Sequence, residues 1–205
     1  LNTQNLNDDD IQWADLVFIS AMVVQKESTK EIINRVKKLR KKIVAGGPLF
    51  TICYRELLKD IDYFVLGEAE VTLPLFLKDL KNGNLKKIYK SNQWPDISKT
   101  PIPLWELLDI KKMKKYSSMA IQFSRGCPFN CEFCDIIILN GGFPRTKDKE
   151  QILNELDALY KKGWRGGVFF VDDNFIGNKI KLKEEILPAI IKWMEEKNHP
   201  FAFNT

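Results

Sequence analysis

Three of the four cysteines lie close together, between Cys127 and Cys134. Residues 125–134 read RGCPFNCEFC, which places Cys127, Cys131 and Cys134 in a CxxxCxxC pattern. This spacing favours a metal centre over a disulfide framework. Iron–sulfur clusters usually take four cysteine ligands. A 4Fe-4S cluster bound by these three cysteines would keep one iron without a cysteine ligand, and an open coordination position is a place for chemistry.

A zinc site is the alternative interpretation of the cysteine loop, with Asp135, Cys53 or His199 as the fourth ligand. Zinc motifs usually pair two ligands closely and then two more, and the sequence supplies no second pair near the first. Inert buried thiols are a weaker explanation, because three cysteines in one loop with Gly and Pro are not typical of core packing. Cys53 by itself fits a small buried hydrophobic residue better than a ligand.

The cysteine loop leaves the first strand of an alternating series of strands and helices. The predicted elements are strand 119–124, a helix over about 148–162, strand 167–171, a helix over about 179–197 and strand 201–204. An Asp148/Gln151 cap should begin the first helix, and Pro188 should kink or interrupt the second. Asp172, Asp173 and Asn174 follow strand 167–171, at the carboxyl end where barrel-type folds place functional groups. A turn with an Asp/Asn cap before the next helix is the alternative reading of these three residues.

A similar alternation of strands and helices is predicted in the amino-terminal part of the chain. The predicted elements are strand 16–20, a helix from a Ser28/Glu31 capping box, strands 43–45 and 62–66, and a helix ending at Asn82–Gly83. Alternation of this kind implies right-handed crossovers and a parallel sheet, with ligands beyond the carboxyl ends of the strands. Several residues follow successive strands at that edge, and from the residues alone they predict only a ligand crevice. They are Ser20, Gly46, Gly47, Gly67 and Glu68.

The 205 residues, 44% hydrophobic and 29% charged, are typical of one or two globular domains. Residues 84–117 carry three prolines and a lysine cluster without sustained periodicity, which indicates a linker between domains at 1–83 and 118–205. The net charge of +5 is mild, and the lysine clusters fall on a polar helix face or in this linker, so nucleic acid is not favoured as a partner. The chain begins at Leu1 and stops at Thr205 inside a predicted strand, which suggests a fragment of a longer protein.

Neither a transmembrane segment nor a secretory signal is recognisable in the sequence. The longest uncharged apolar stretch, residues 16–24, is far shorter than the roughly 18 to 20 residues that span a bilayer. No basic segment leads into an apolar run with a small-residue cleavage site. We therefore expect a cytoplasmic protein.

The cysteine loop, with Phe133 just before its last cysteine, resembles the radical S-adenosylmethionine superfamily. Together with residues 169–175, which read FFVDDNF, it resembles more narrowly the cobalamin-binding subgroup. The resemblance implies an α/β fold with a partial Rossmann-like (doubly wound) cobalamin-binding domain. The first βα units of a partial TIM-type radical SAM barrel would follow it.

The resemblance also implies roles for individual residues. Cys127, Cys131 and Cys134 would hold the 4Fe-4S cluster, S-adenosylmethionine would chelate the open iron, and Phe133 would pack by the adenine. The reduced cluster would cleave S-adenosylmethionine to a 5′-deoxyadenosyl radical. Many members carry Gly-Gly-Glu to bind the methionine amino group; this sequence departs from that pattern, and Asp172 or Asp173 would accept the ammonium instead. The loops with Ser20, Gly46, Gly47, Gly67 and Glu68 would surround cobalamin.

The leading functional hypothesis is methyl transfer, with cobalamin as the methyl carrier, to an unactivated carbon or phosphorus centre of a small molecule or lipid. An electron donor such as flavodoxin or ferredoxin would be a partner. A radical S-adenosylmethionine reaction without catalytic cobalamin, such as cyclisation, rearrangement or methylthiolation, is the second hypothesis. A metal-stabilised RNA-binding module is the third hypothesis. The scarcity of aromatic residues near the lysines counts against it, because such modules stack bases on aromatic side chains.

Overall fold

The chain folds into two units, Leu1–Pro95 and Asp96–Thr205, in a computed structural model that describes residues 6–113 and 115–205. The first unit holds a parallel sheet with strand order β1-β2-β3-β4. Its strands are β1 (Leu16–Ser20), β2 (Lys42–Gly46), β3 (Tyr63–Val65) and β4 (Ile88–Tyr89). Its helices are α1 (Asp8–Trp13), α2 (Lys26–Lys38), α3 (Pro48–Cys53) and α4 (Ala69–Lys81).

Helices cover both faces of this sheet. On one face, Ile43 and Ala45 of β2 pack in a cluster with residues of α2 and α3, among them Val36 and Phe50. On the other face, Val44 packs with Phe76 of α4 and with neighbouring strands. Because both faces are buried, β2 is apolar at consecutive positions, as parallel strands usually are. The predicted parallel α/β fold is confirmed.

The start of α2 differs from the prediction. The helix begins at Lys26, and a 3-10 turn over Val23–Gln25 precedes it. Ser28 lies inside the first turn, where its hydroxyl donates to the carbonyl of Gln25 at 3.0 Å. The predicted Ser28/Glu31 capping box is therefore wrong, since the helix already exists before Ser28.

Regular structure also occurs within residues 84–117, which the sequence indicated as a linker. Strand β4 pairs with β3, and the hydroxyl of its buried Tyr89 donates to Asp79 at 3.0 Å. The second unit begins with two 3-10 turns, Ile97–Lys99 and Trp105–Leu107, and helix α5 (Ile110–Met113). Elements this short produce no periodicity that a sequence reading could detect. The domain limits of 83 and 118 stay predictions.

The second unit is built on a parallel sheet with strand order β5-β8-β9 and a separate antiparallel pair, β6 and β7. The strands are β5 (Ser118–Ile121), β6 (Ser124–Arg125), β7 (Arg145–Thr146), β8 (Gly167–Phe170) and β9 (Ala202–Asn204). The further helices are α6 (Ile136–Asn140), α7 (Lys149–Lys161), α8 (Lys179–Lys181) and α9 (Leu187–Glu196). The core joins the strands to α7 and α9 through buried residues such as Ile121, Phe170, Leu156 and Trp193.

Two helix predictions in this unit have different outcomes. The predicted interruption at Pro188 is confirmed: a π-helical turn over Leu182–Ile186 separates α8 from α9, as expected where a proline removes a backbone donor. The predicted cap is confirmed in position, because Asp148 is the N-cap residue of α7, but neither side chain makes the predicted capping hydrogen bond. Asp148 accepts instead from the Lys181 ammonium at 2.8 Å, and the Gln151 amide donates to Thr100 at 2.8 Å, so tertiary partners take both side chains.

Within the described residues, no helix combines the length and the apolar composition needed to cross a membrane.

Candidate active site

Strands β5 and β8 bring the cysteine loop and residues 172–174 to the same edge of the sheet. The strands are parallel neighbours, with Ile121 opposite Phe170, and the N–H of Val171 donates to the carbonyl of Ile121 at 2.9 Å. Both chain segments therefore leave the sheet side by side at the carboxyl ends of their strands, where barrel-type folds carry function.

The Asp172 carboxylate anchors the start of the loop. Its Oδ2 accepts from the N–H of Phe123 at 3.1 Å, and its Oδ1 accepts from the N–H of Ser124 and from the Ser124 hydroxyl, the latter at 2.6 Å. Burial raises the pKa of Asp172, although these hydrogen bonds act in the opposite direction. Ser124 is fully buried, so the carboxylate satisfies donors that water does not reach.

The next two residues hold the following part of the loop. The Asp173 Oδ2 accepts from the N–H of Gly126 at 2.7 Å and from the Asn140 side-chain amide at 2.8 Å. The Asn174 Nδ2 lies 3.6 Å from the Cys127 Sγ and donates to it. Asp172, Asp173 and Asn174 thus form hydrogen bonds to successive residues at the start of the cysteine loop. The sequence did not predict this role. The alternative reading is confirmed for the turn, because the Asn174 carbonyl accepts from the N–H of Gly177 at 3.0 Å. It is wrong for the cap, because Asn178 caps α8 by accepting from the N–H of Lys181. The ammonium-binding role stays a prediction.

The three loop cysteines are free thiols. Cys127 and Cys134 are partly buried and Cys131 is exposed, while Phe133 is 91% exposed. In the part of the chain that the structure describes, no three His, Cys, Asp or Glu side chains could hold a metal ion together. A zinc ion needs four ligands around one point, whereas the cysteines of a 4Fe-4S cluster bind separate iron atoms. Three free thiols, one of them with an amide donor at its sulfur, are a donor set that fits an iron–sulfur cluster.

Gly126 allows the loop to close on itself. Its φ is +97°, and a Cβ there would lie 2.6 Å from the Phe143 carbonyl oxygen and 2.9 Å from that of Asn140. Just after it, the N–H of Cys127 donates to the carbonyl of Gly141 at 3.2 Å. The loop backbone is packed so closely that only glycine fits at this position.

Gly126→Ala is expected to displace the cysteine loop and to reduce iron bound after anaerobic reconstitution. The positive φ alone costs on the order of 1–3 kcal/mol for a residue with a side chain, and the carbonyl contacts add to it. Gly142→Ala is the matched control, because a Cβ there has no neighbour within 4 Å. Iron analysis and thermal unfolding of both variants measure the effect; equal iron in the two variants would contradict it.

Glycine loops also meet at the edge of the first sheet. In the register of β1 and β2, Ser20 lies opposite Gly46, and a Cβ on Gly47 would lie 2.5 Å from the Ser20 hydroxyl oxygen. The Thr51 hydroxyl donates to the Gly47 carbonyl at 2.9 Å and accepts from the N–H of Gly67 at 3.0 Å. The structure thus brings these predicted residues to one edge, with Glu68 following Gly67 at the start of α4.

Sequence reasoning missed two residues that organise these edges, Thr51 and Asn140. Nothing in the sequence marks Thr51. Asn140 stands before Gly141 and Gly142, which is a turn signal, but not a signal for contact with Asp173. Cys53 packs at the margin of the first unit's core, as the sequence predicted.

Each of the two units matches a known protein family. Residues 10–77 match the family model of the B12 binding domain, and residues 121–205 match that of the Radical SAM superfamily. The chain is 46% identical over 205 residues to an uncharacterized methyltransferase of Synechocystis, an alignment that covers 100% of this chain and 38% of the relative. It is 38% identical over 191 residues to the hopanoid C-2 methylase of Rhodopseudomonas palustris, covering 91% of this chain and 35% of that enzyme.

A solved structure has the same fold. The cobalamin-dependent S-adenosylmethionine radical enzyme OxsB, with aqua-cobalamin and S-adenosylmethionine bound, superposes with a TM-score of 0.75 at 18% identity. The match covers 96% of this chain and 31% of OxsB. The chain thus spans well under half the length of each of these proteins.

Proposed function

The chain belongs to the cobalamin-binding subgroup of the radical S-adenosylmethionine superfamily, and from this premise we propose that it acts in methyl transfer to an unactivated carbon or phosphorus centre. One observation carries the proposal. Three free thiols in CxxxCxxC spacing lie on a loop that Asp172, Asp173 and Asn174 hold at the carboxyl ends of adjacent parallel strands.

The cysteine loop supplies the ligands. Cys127, Cys131 and Cys134 would hold a 4Fe-4S cluster, whose open iron would take the amino and carboxylate groups of S-adenosylmethionine. When bound, the cluster supplies the electron that cleaves S-adenosylmethionine, and cobalamin supplies the methyl carrier. The exposed ring of Phe133 is available to pack by the adenine.

Asp172 and Asp173 would have different roles. Among the described residues, the three hydrogen bonds of the Asp172 carboxylate all go to the start of the loop, so we assign it the role of anchor. Asp173 uses Oδ2 for both of its hydrogen bonds within the described residues. Its Oδ1 is therefore the better acceptor for the methionine ammonium, as a charge-assisted hydrogen bond.

Cobalamin would bind at the edge of the first sheet. Ser20, Gly46, Gly47, Gly67 and Glu68 would surround it, and Thr51 would fix the spacing of two of these loops through its hydrogen bonds to Gly47 and Gly67. The close backbone approach that glycine permits suits a large planar ligand. This crevice lies beyond the carboxyl ends of parallel strands, the usual ligand position of such sheets.

The substrate would be a small molecule or lipid. A largely apolar cavity of about 530 Å³ adjoins the cysteine loop, with Pro128, Phe129, Ile176 and Lys179 among its lining residues. Apolar walls with few polar groups are typical of small-molecule sites, and one relative is named for methylating a hopanoid. The partner of this chain would be a low-potential electron donor such as flavodoxin or ferredoxin. The protein would act in the reducing cytoplasm.

Anaerobic reconstitution of the complete protein tests the function. We expect a gain of about four iron and four sulfide per chain, stoichiometric corrinoid, and release of 5′-deoxyadenosine from S-adenosylmethionine under reducing conditions. A labelled methyl group should pass from S-adenosylmethionine to an apolar acceptor.

The other hypotheses give different results in the same experiment. A protein that binds the cluster but never takes up corrinoid would have another radical reaction, such as cyclisation, rearrangement or methylthiolation. Retention of zinc without iron, with steeply salt-dependent RNA affinity, would indicate the RNA-binding module.

A further inference from the structure

We propose that Asn174 sets the reduction potential of the cluster by donating an N–H···S hydrogen bond to the Cys127 thiolate. This inference rests on the proposed function, because it needs Cys127 as a cluster ligand. The observation behind it is the 3.6 Å contact between the Asn174 Nδ2 and the Cys127 Sγ, which is within the usual range for a hydrogen bond to sulfur.

The backbone of Asn174 is held in place by its neighbours. Its carbonyl accepts from the N–H of Gly177 at 3.0 Å. The next residue, Phe175, packs its ring 4.8 Å from that of Phe170 and 6.0 Å from that of Phe123. The amide is therefore presented to the sulfur from a fixed position, so little ordering is needed when the cluster binds.

The chemistry of the two groups fixes which end of the amide faces the sulfur. An asparagine side chain carries a donor nitrogen and an acceptor oxygen. A cysteine that ligates iron is a thiolate, which accepts hydrogen bonds and cannot donate them. Only the NH₂ end of Asn174 makes a favourable contact with ligated Cys127.

Such a hydrogen bond favours the reduced cluster. One-electron reduction adds negative charge to the cluster and its sulfur ligands, so a donor at the Cys127 sulfur stabilises the reduced form more than the oxidised form. Asn174 therefore raises the reduction potential and makes electron acceptance easier. Asp173 acts differently, because its hydrogen bonds go to the loop backbone and to Asn140.

The test is an anaerobic potentiometric titration of the reconstituted complete protein, with Ti(III) citrate as reductant and the cluster's paramagnetic signal as the readout. Asn174→Leu removes the donor at similar volume and should lower the equilibrium constant for reduction about threefold to tenfold, where tenfold is about 59 mV for one electron. Asn174→Ala removes the same donor with a smaller side chain and no added charge, so its potential should fall by a similar amount. The alanine variant carries the test if the leucine variant does not fold.

Asn140→Leu is the matched control. It removes a hydrogen bond from the same loop without touching a sulfur, so its potential should equal that of the wild type. Unchanged potentials in both Asn174 variants, an equal shift in Asn140→Leu, or loss of the cluster from both Asn174 variants would each overturn the tuning role. A wild-type protein that takes up no cluster at all would refute the proposed function instead.

Discussion

Replacing Cys127, Cys131 and Cys134 together with alanine is expected to abolish the gain of about four iron and four sulfide on reconstitution. The physical reason is direct, because these thiolates are the proposed protein ligands of the cluster. None of the three is fully buried, so their truncation leaves no large core cavity and should change the unfolding free energy little. Iron and sulfide analysis, with circular dichroism to confirm the fold, measures the result.

Cys53→Ala is the matched control for this variant. Cys53 is also a free, partly buried thiol, but it packs in the first unit, and its loss should leave iron binding unchanged. Production of 5′-deoxyadenosine should vanish in the triple variant and persist in the control. Iron that survives the triple substitution would refute the assignment of the cysteine loop.

Lys147→Met is expected to destabilise the protein strongly at neutral pH. The Lys147 ammonium lies 2.5 Å from the Glu155 Oε1, and the two side chains are 7% and 0% exposed. The other carboxylate oxygen, Oε2, has no hydrogen-bond partner among the described residues. Removal of the lysine leaves a buried charge without compensation, which costs about 3–5 kcal/mol in comparable pairs. Denaturant unfolding at neutral pH measures the loss.

The pH dependence of this variant has a definite sign. Burial raises the pKa of Glu155, and Lys147 acts in the opposite direction, so the pKa rises further once the lysine is removed. A carboxyl group whose pKa is raised by folding favours the folded state most when it is protonated, and this contribution is lost as the pH rises through the folded pKa. The destabilisation of Lys147→Met should therefore shrink as the pH falls from neutral.

A second substitution distinguishes the unpaired charge from simple loss of packing. Adding Glu155→Leu or Glu155→Gln to Lys147→Met removes the unpaired carboxylate and should recover most of the lost free energy, since a buried pair can often be replaced by neutral side chains. The double variants should also lose the pH dependence. Persistence of the full loss in both would mean that the lysine acts through packing alone.

The local sequence pattern predicts the positions of several strands and helices well. The sequence predicts strand β1 at residues 16–20, where it lies, because an apolar run of β-forming residues is visible without knowledge of its neighbours. The helix stop near Gly83 and the interruption at Pro188 were also readable, since glycine and proline act on their own backbone. The Ser28 capping box failed because a preceding turn already starts the helix.

Contacts between distant residues were not readable in this way. Asp172 and Ser124 are 48 positions apart, and Asn174 and Cys127 are 47 apart. The sequence marked Asp172, Asp173 and Asn174 as polar residues after a strand, and it offered cofactor contact or a helix cap as their roles. That they hold the cysteine loop follows from the pairing of β5 with β8.

By itself, the sequence determined the alternation of strands and helices, the parallel sheets and the three thiols, because hydrophobic periodicity and ligand spacing are properties of neighbouring residues. Only the tertiary structure decided which side chains hold the cysteine loop, which amide reaches a sulfur and which carboxylate is buried beside Lys147. Those contacts depend on strand register and helix packing, which bring together residues whose separation along the chain carries no local signal.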